Sequence, residues 1–76
     1  MHEKLRRIVA DTLGINAAEI RDETAMENTP TWDSIAHLNL VMSIEQEFGI
    51  QLTPEEMLEL SSIEKIERKL SSSGIA

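Results

Sequence analysis

Apolar residues in the N-terminal segment recur at the spacing of one helical face. They lie at i, i+3, i+4 and i+8, which predicts a helix over residues 3–13. The four residues are Leu5, Ile8, Val9 and Leu13. Gly14 follows them as a suitable C-cap, because glycine readily adopts the left-handed conformation in which many helices end. The first element of the chain is therefore an amphipathic helix.

Residues 15–33 show no sustained period and are rich in Asn, Asp, Thr and Glu, so we predict a long loop. A loop of this length is unusual in a compact domain and needs apolar anchors. The available anchors are Ile15, Ile20, Met26 and Trp32. Asn16 and Glu19 are spaced to cap one short helical turn within the loop.

A second helix is predicted from Ser34 to Phe48, with Asp33 as its N-cap and Gly49 as its stop. At about 100° per residue, five apolar side chains fall in one broad arc that forms the core face. They are Leu38, Leu40, Val41, Ile44 and Phe48. The cap places the Ser34 hydroxyl at the helix tip, where the free amides and the helix dipole favour a bound phosphate.

The opposite side of the second helix also carries apolar residues. Ile35 and Met42 lie one above the other there, with Asn39 and Gln46 beside them. We interpret these residues as a small contact surface for another protein, because methionine adapts to varied partners and exposed apolar patches mark interaction sites. Two alternatives remain open: surface apolar residues without a role, or residues covered by the short third helix.

The C-terminal part of the chain predicts two more helices. A capping box at residues 53–56, with Pro54 at the first helical position, starts a short third helix that continues through Leu60. Ser61 or Ser62 caps the fourth helix. The fourth helix has one apolar stripe, made of Ile63, Ile66 and Leu70.

No stretch of the sequence alternates apolar and polar residues as a strand would. The predicted fold is all-α: a small four-helix bundle with three main helices, one short helix and a long loop between helices one and two. We expect residues 1–76 to form a single domain, with residues 71–76 as a frayed tail. A chain of 76 residues buries only roughly 60% of its unfolded surface, which favours a binding or carrier module over an enzyme with a large cleft.

Charge narrows the choice of partners. The chain has 7 basic and 14 acidic residues, for a net charge of −7. All the bases except Arg21 lie near the two ends, so the middle of the chain is strongly acidic. This distribution excludes nucleic acid and anionic lipid as partners and favours a basic protein surface, with simple solubility as the alternative.

The chain contains no cysteine, which excludes disulfides, thiolate metal sites and cysteine nucleophiles. No apolar run approaches the ~20 residues of a membrane span, and the first residues do not resemble a signal peptide. We therefore expect a cytoplasmic monomer without a membrane span.

Catalytic chemistry has one candidate set. His37 lies one turn after Ser34 and, with Asp33, suggests a serine hydrolase triad. Asp33 is committed to capping and His37 projects toward the core arc, so we interpret His37 as a partly buried residue with a structural hydrogen bond. A small serine hydrolase remains the remote alternative. The carboxylates form no metal set, since Glu45 and Glu47 point to different sides of their helix.

The second helix and its cap contain, in order, Asp33-Ser34-Ile35, Leu40-Val41-Met42 and Ile44-Glu45-Gln46-Glu47-Phe48. With the long loop before it and the capping box after it, this pattern resembles the acyl carrier protein family over essentially the whole chain. The resemblance implies that Ser34 receives a 4′-phosphopantetheine arm from coenzyme A through a separate phosphopantetheinyl transferase, and that Asp33 helps this enzyme to arrange its Mg²⁺. It also implies a protein that is not an enzyme and whose arm carries acyl groups as thioesters for acyl-transferring, ligating or condensing enzymes.

The sequence departs from the family pattern on the docking side of the second helix. Ala36, Asn39 and Gln46 stand where acidic residues are frequent, and Ile35 replaces the usual Leu. We therefore predict a carrier for a specialised fatty acid, polyketide or lipid pathway, with Ile35, Asn39, Met42 and Gln46 as its partner-binding residues. An aminoacyl or D-alanyl carrier and a cofactor-free helical interaction module remain as alternatives.

Overall fold

A computed structural model describes residues 3–74, which form four α-helices and two single-turn 3₁₀ helices. The α-helices are α1 (Glu3–Leu13), α2 (Ser34–Phe48), α3 (Pro54–Glu59) and α4 (Ile63–Ser72). The 3₁₀ helices, Ala17–Glu19 and Met26–Asn28, both lie in the loop between α1 and α2. The predicted all-α bundle is therefore confirmed over the part of the chain that the structure describes.

The capping residues explain where the helices begin and end. Gly14 and Gly49 follow α1 and α2 with φ angles of 66° and 65°, in the left-handed region that favours glycine. Before α3, the Thr53 hydroxyl accepts from the Glu56 amide (3.1 Å), and the Glu56 carboxylate accepts from the Thr53 amide (2.9 Å). This is the predicted capping box. Ser62 is the cap of α4, because its hydroxyl accepts from the Lys65 amide.

The core lies between α1, α2 and α4, and the apolar stripes predicted for these helices supply most of it. Its members are Leu5, Val9, Leu13, Ile20, Trp32, Leu40, Val41, Ile44, Leu52, Leu60, Ile63, Ile66 and Leu70. Nine of the buried side chains are less than 2% exposed, and Trp32 is the largest of them. Phe48 is only partly buried at the edge of this core.

The long loop is fixed to the rest of the bundle at several points. Ile20 and Trp32 are buried, as predicted for loop anchors, while Ile15 and Met26 pack against the core and are partly buried. The Met26 amide donates to the Ser61 carbonyl (2.9 Å). This bond ties the loop to the junction between α3 and α4. The predicted turn capped by Asn16 is the first 3₁₀ helix, and the second was not predicted.

Three details of the prediction are wrong. Leu38 was assigned to the core face of α2 but is 54% exposed, because it lies about 60° beyond Val41 at ~100° per residue and no other helix covers it. Leu60 does not belong to the third helix, which ends at Glu59. Ser71 and Ser72 belong to α4 and are not part of a frayed tail. Residues 75 and 76 of that predicted tail lie outside the described residues.

Candidate functional site

The start of α2 presents a serine hydroxyl to solvent. Asp33 has an extended backbone and its Oδ1 accepts from the Ala36 amide at 2.8 Å, which is the predicted N-cap. Ser34 is the first helical residue and is exposed. Its hydroxyl thus lies beside the free amides of the first turn, where the helix dipole stabilises negative charge such as that of a phosphodiester.

His37 connects this helix start to two other parts of the molecule. The Trp32 indole Nε1–H donates to His37 Nδ1 at 3.0 Å. His37 Nε2 lies 2.7 Å from the carbonyl oxygen of Met57 in α3. Because Nδ1 is the acceptor, the ring hydrogen is on Nε2, which donates to Met57. We call this chain of two hydrogen bonds the His37 bridge. It confirms that His37 is a partly buried residue with a structural role.

These contacts do not support a serine hydrolase. Both ring nitrogens of His37 are engaged by Trp32 and Met57, so neither is directed to the Ser34 hydroxyl as a general base. The Asp33 oxygen that would orient the histidine instead accepts from the Ala36 amide. The three residues of the suggested triad are close in sequence, but Asp33 and His37 are each bonded to other groups.

An apolar stripe on α2 faces solvent beyond the serine. Ile35 is 73% exposed, Leu38 is 54% exposed and Met42 is 53% exposed. We call these three residues the exposed stripe. Asn39 and Gln46, the polar members of the predicted contact surface, are also exposed. The third helix therefore does not cover Ile35 and Met42, and that alternative is rejected.

An open apolar pocket of about 490 Å³ lies between α2, α3 and the long loop, directly beside the serine. Its lining residues are Met26, Ser34, His37, Leu38, Val41, Pro54, Met57 and Leu58. We refer to it as the apolar pocket. None of the lining residues is an acid, a lysine or an arginine, so the pocket suits an uncharged, apolar group.

The residues that line this pocket were not identified from the sequence. The spacing of Ile35, Leu38 and Met42 at i, i+3 and i+7 marks a second apolar stripe on α2, but of these three residues only Leu38 lines the pocket. The contributions of Met26 and Met57 had no comparable indication, because they depend on where the loop and α3 pack against α2.

The far side of α3 is held by a charged contact. Lys69 on α4 donates to Glu56 on α3. This contact, together with the hydrogen bond from the Thr53 amide, lowers the pKa of the Glu56 carboxyl below its ordinary value. The ionised carboxylate of Glu56 thus bonds α3 to α4.

No group of three or more His, Cys, Asp or Glu residues in the range 3–74 is placed to hold a metal ion. Within the same residues, no helix is both long enough and apolar enough to cross a membrane.

Comparison with known protein families gives one match, to the family described as phosphopantetheine attachment site. The matched region is residues 3–70, nearly the whole chain. The chain belongs to this family. Proteins with this domain carry a covalently bound 4′-phosphopantetheine group, and the chain is therefore a phosphopantetheine carrier domain.

The start of α2 fits such a group. The prosthetic group joins a carrier through a phosphodiester to a hydroxyl, and the Ser34 hydroxyl is accessible at a helix N-terminus, where an anion is favoured. The serine also lines the apolar pocket, so an attached arm begins next to a surface that accepts apolar groups.

Proposed function

We propose that this carrier domain is an acyl carrier protein and that Ser34 is the attachment point of its arm. The observation that carries the proposal is the position of Ser34: an exposed hydroxyl at the N-terminus of α2 that also lines an uncharged apolar pocket. When bound, the arm supplies a terminal thiol that holds acyl groups as thioesters. The protein supplies the fixed attachment point, the contact surface and the pocket, and catalyses no reaction itself.

The residues around Ser34 have separate tasks in this proposal. Asp33 fixes the helix start through its bond to the Ala36 amide, so that the hydroxyl has a defined direction. A rigid attachment point matters because partner enzymes must find the thiol at the end of a flexible arm. We also assign Asp33 to the surface that the phosphopantetheinyl transferase contacts, in keeping with its exposure beside Ser34.

The chemistry of the apolar pocket favours an acyl cargo over an aminoacyl cargo. An aminoacyl or D-alanyl group carries an ammonium charge, and burial of that charge without a carboxylate partner is costly. The lining residues offer no carboxylate, and the His37 nitrogens are already bonded. An apolar acyl chain loses no hydrogen bond on entering the pocket and removes apolar surface from water.

We propose that partner enzymes dock on the exposed stripe and on Asn39 and Gln46. The three apolar side chains supply a hydrophobic centre, and the two amides supply hydrogen bonds at its edge. Glu55 and Glu59, both exposed on α3, add negative charge to the neighbouring helix. The partner surface that fits is apolar at its centre and basic at its rim. The low charge of α2 itself favours the enzymes of a specialised fatty acid, polyketide or lipid pathway.

Intact mass tests the attachment point. The full chain is incubated with coenzyme A, Mg²⁺ and a broad-specificity phosphopantetheinyl transferase, and is then weighed. We expect wild type to gain one phosphopantetheinyl group, Ser34→Ala to gain none, and the control Ser43→Ala, on the same helix, to gain one. An unmodified wild type beside a modified reference carrier would contradict the proposal. It would favour the alternative in which the exposed stripe belongs to a cofactor-free interaction module.

A further inference from the structure

We infer that His37 is a positioning residue: the His37 bridge holds α3 at the distance from α2 that gives the apolar pocket its width. This inference rests on the proposed function, because the pocket matters only if an acyl chain on the Ser34 arm enters it. It assigns a role to a histidine whose ring nitrogens bond to neither the serine nor any charged group.

Helix α3 has little hydrophobic attachment of its own. None of its six residues is buried, and Leu58 is 77% exposed. The buried residues of this segment are Leu52 before the helix and Leu60 after it, which are 7% and 4% exposed. Within the helix only Met57 packs against the core, and it is partly buried, so polar contacts contribute to the position of α3.

Two polar contacts hold the helix, and they act on different sides. Glu56 pairs with Lys69 of α4, in a groove that faces away from the serine and is lined by residues of α3 and α4. The Met57 carbonyl accepts from His37 of α2, and both of these residues line the apolar pocket. Of these two contacts, only the one made by His37 joins the two helices that form the pocket walls.

The other end of the bridge makes His37 a fixed support. Its Nδ1 accepts from Trp32, whose side chain is 1% exposed and belongs to the core. The ring is therefore bonded to the core on one edge and to the α3 backbone on the other. The imidazole ring is rigid, so the distance between its two nitrogens sets the separation of the two pocket walls.

Substitution of His37 by asparagine or glutamine removes one hydrogen bond of the His37 bridge at a time. The terminal atoms of asparagine lie at the level of Nδ1, and those of glutamine reach the level of Nε2. His37→Asn therefore keeps the acceptor for Trp32 and loses the donor to Met57. His37→Gln keeps the donor to Met57 and loses the acceptor, and His37→Leu loses both. A residue that acted only through the general stability of the fold would not distinguish the first two variants.

The ¹³C-methyl NMR signals of the pocket methionines report whether an acyl chain enters the pocket. Each full-length variant is loaded at Ser34 with an octanoyl arm from octanoyl-coenzyme A and compared with the same protein carrying the free arm. Met26 and Met57 line the pocket and Met42 does not, so the ¹³C-methyl signals of Met26 and Met57 report chain entry and that of Met42 is an internal control. We expect octanoylation to shift the two pocket signals in wild type.

The expected loss follows from one hydrogen bond. In His37→Asn and His37→Leu, we expect the ratio of pocket-bound to free octanoyl chain to fall by about 2- to 10-fold, the factor that corresponds to the net worth of one hydrogen bond. In His37→Gln we expect the ratio to stay within twofold of wild type, roughly the lower bound of that range.

Trp32 supplies the second readout and does not depend on the arm. In the unloaded protein, hydrogen exchange of the indole N–H should be faster in His37→Gln and His37→Leu but unchanged in His37→Asn. Chain binding should therefore change in His37→Asn but not in His37→Gln, whereas indole exchange should change in His37→Gln but not in His37→Asn. Far-UV circular dichroism shows that each variant retains its helices.

Several results would overturn the inference. Asparagine and glutamine variants that bind the octanoyl chain equally would show that the Met57 bond does not set the pocket. Loaded wild type with unshifted Met26 and Met57 signals would show that the chain lies elsewhere, although the carrier function at Ser34 would stand. A wild type that accepts no arm would instead remove the proposed function and this inference together.

Discussion

Helices α3 and α4 are neighbours in the chain but are held in place in different ways. The stripe of α4, formed by Ile63, Ile66 and Leu70, is completely buried. None of the residues of α3 is fully buried: Met57 packs against the core in part, and the His37 bridge and the Glu56–Lys69 pair bond the helix to α2 and α4. Burial of apolar surface therefore stabilises α4, whereas capping and polar contacts to other helices locate α3.

This difference separates stability from function within a chain of 76 residues. The helix that contributes least to the core, α3, contributes Met57 and Leu58 to the pocket beside the serine. Segments with few buried apolar contacts open at lower energy than the core, which would suit one wall of the proposed acyl pocket. The helices with buried stripes hold the fold together.

The largest effect should come from truncating the buried stripe of α4. Ile66→Ala should lower the free energy of unfolding by about 2–5 kcal/mol, because it removes a fully buried side chain and leaves a cavity. The matched change on α3, Leu58→Ala, should alter it by less than ~0.5 kcal/mol, since that side chain is exposed. Urea unfolding followed by circular dichroism measures both. Equal losses for the two variants would remove the distinction between the helices.

The next largest effect tests whether the exposed face of α2 serves partners and not the fold. Met42→Glu should lower kcat/KM of a phosphopantetheinyl transferase for this carrier by roughly 10-fold, because it places a charge in an apolar contact surface. Its melting temperature should stay close to that of wild type, because Met42 is 53% exposed. Met42→Leu should retain both properties. A large loss of helicity in Met42→Glu would place this residue in the core instead.

Removal of the helix caps should separate local from global stability. Thr53→Ala and Ser62→Ala each remove an N-cap hydroxyl, a change that costs about 0.5–2 kcal/mol. For Ser62 the loss should appear in global unfolding, because α4 is part of the core. For Thr53 it should appear mainly as faster amide exchange of Met57 and Leu60, whose amides donate within the α3 segment. Identical global losses would show that α3 unfolds only with the whole molecule.

The smallest expected effect is the loss of local stability of α3 at acidic pH. Because Lys69 and the Thr53 amide lower the pKa of Glu56, ionised Glu56 stabilises the folded state. This contribution is complete above the ordinary glutamate pKa and is lost as pH falls through the lower pKa of the folded protein. The protection of α3 amides against exchange, taken relative to the intrinsic exchange rate at each pH, should therefore fall toward acid more in wild type than in Glu56→Gln. Parallel profiles for the two proteins would contradict the assignment of Glu56 as an attachment of α3.

The fold could be predicted largely because its core helices obey local rules. The Asp33 cap, the Gly49 stop and the stripe of Ile63, Ile66 and Leu70 are properties of short sequence windows, and the structure confirms all of them. Leu38 was assigned wrongly because it lies at the edge of the α2 arc. At that position, burial depends on whether another helix reaches it, and no window of sequence contains that information.

The site was only partly predictable for the same reason. The choice of Ser34 rests on its position after a cap, on the lack of other candidate chemistry and on the family resemblance, and it stays a prediction. The exposure of Ile35 and Met42 agrees with their position opposite the core face. The partners of His37 could not be named. Met57 is separated from it by 20 residues, and the bond forms only because α3 folds back over α2. Tertiary contacts of this kind create the pocket as well.

The central claim is that Ser34, and no other residue, holds the arm. The most direct measurement is fragmentation mass spectrometry of the intact protein after modification by a phosphopantetheinyl transferase. The added phosphopantetheinyl mass should appear only on fragments that contain Ser34, and Ser34→Ala should carry none. Location of the group on any other serine, or its transfer to Ser34→Ala, would contradict the account.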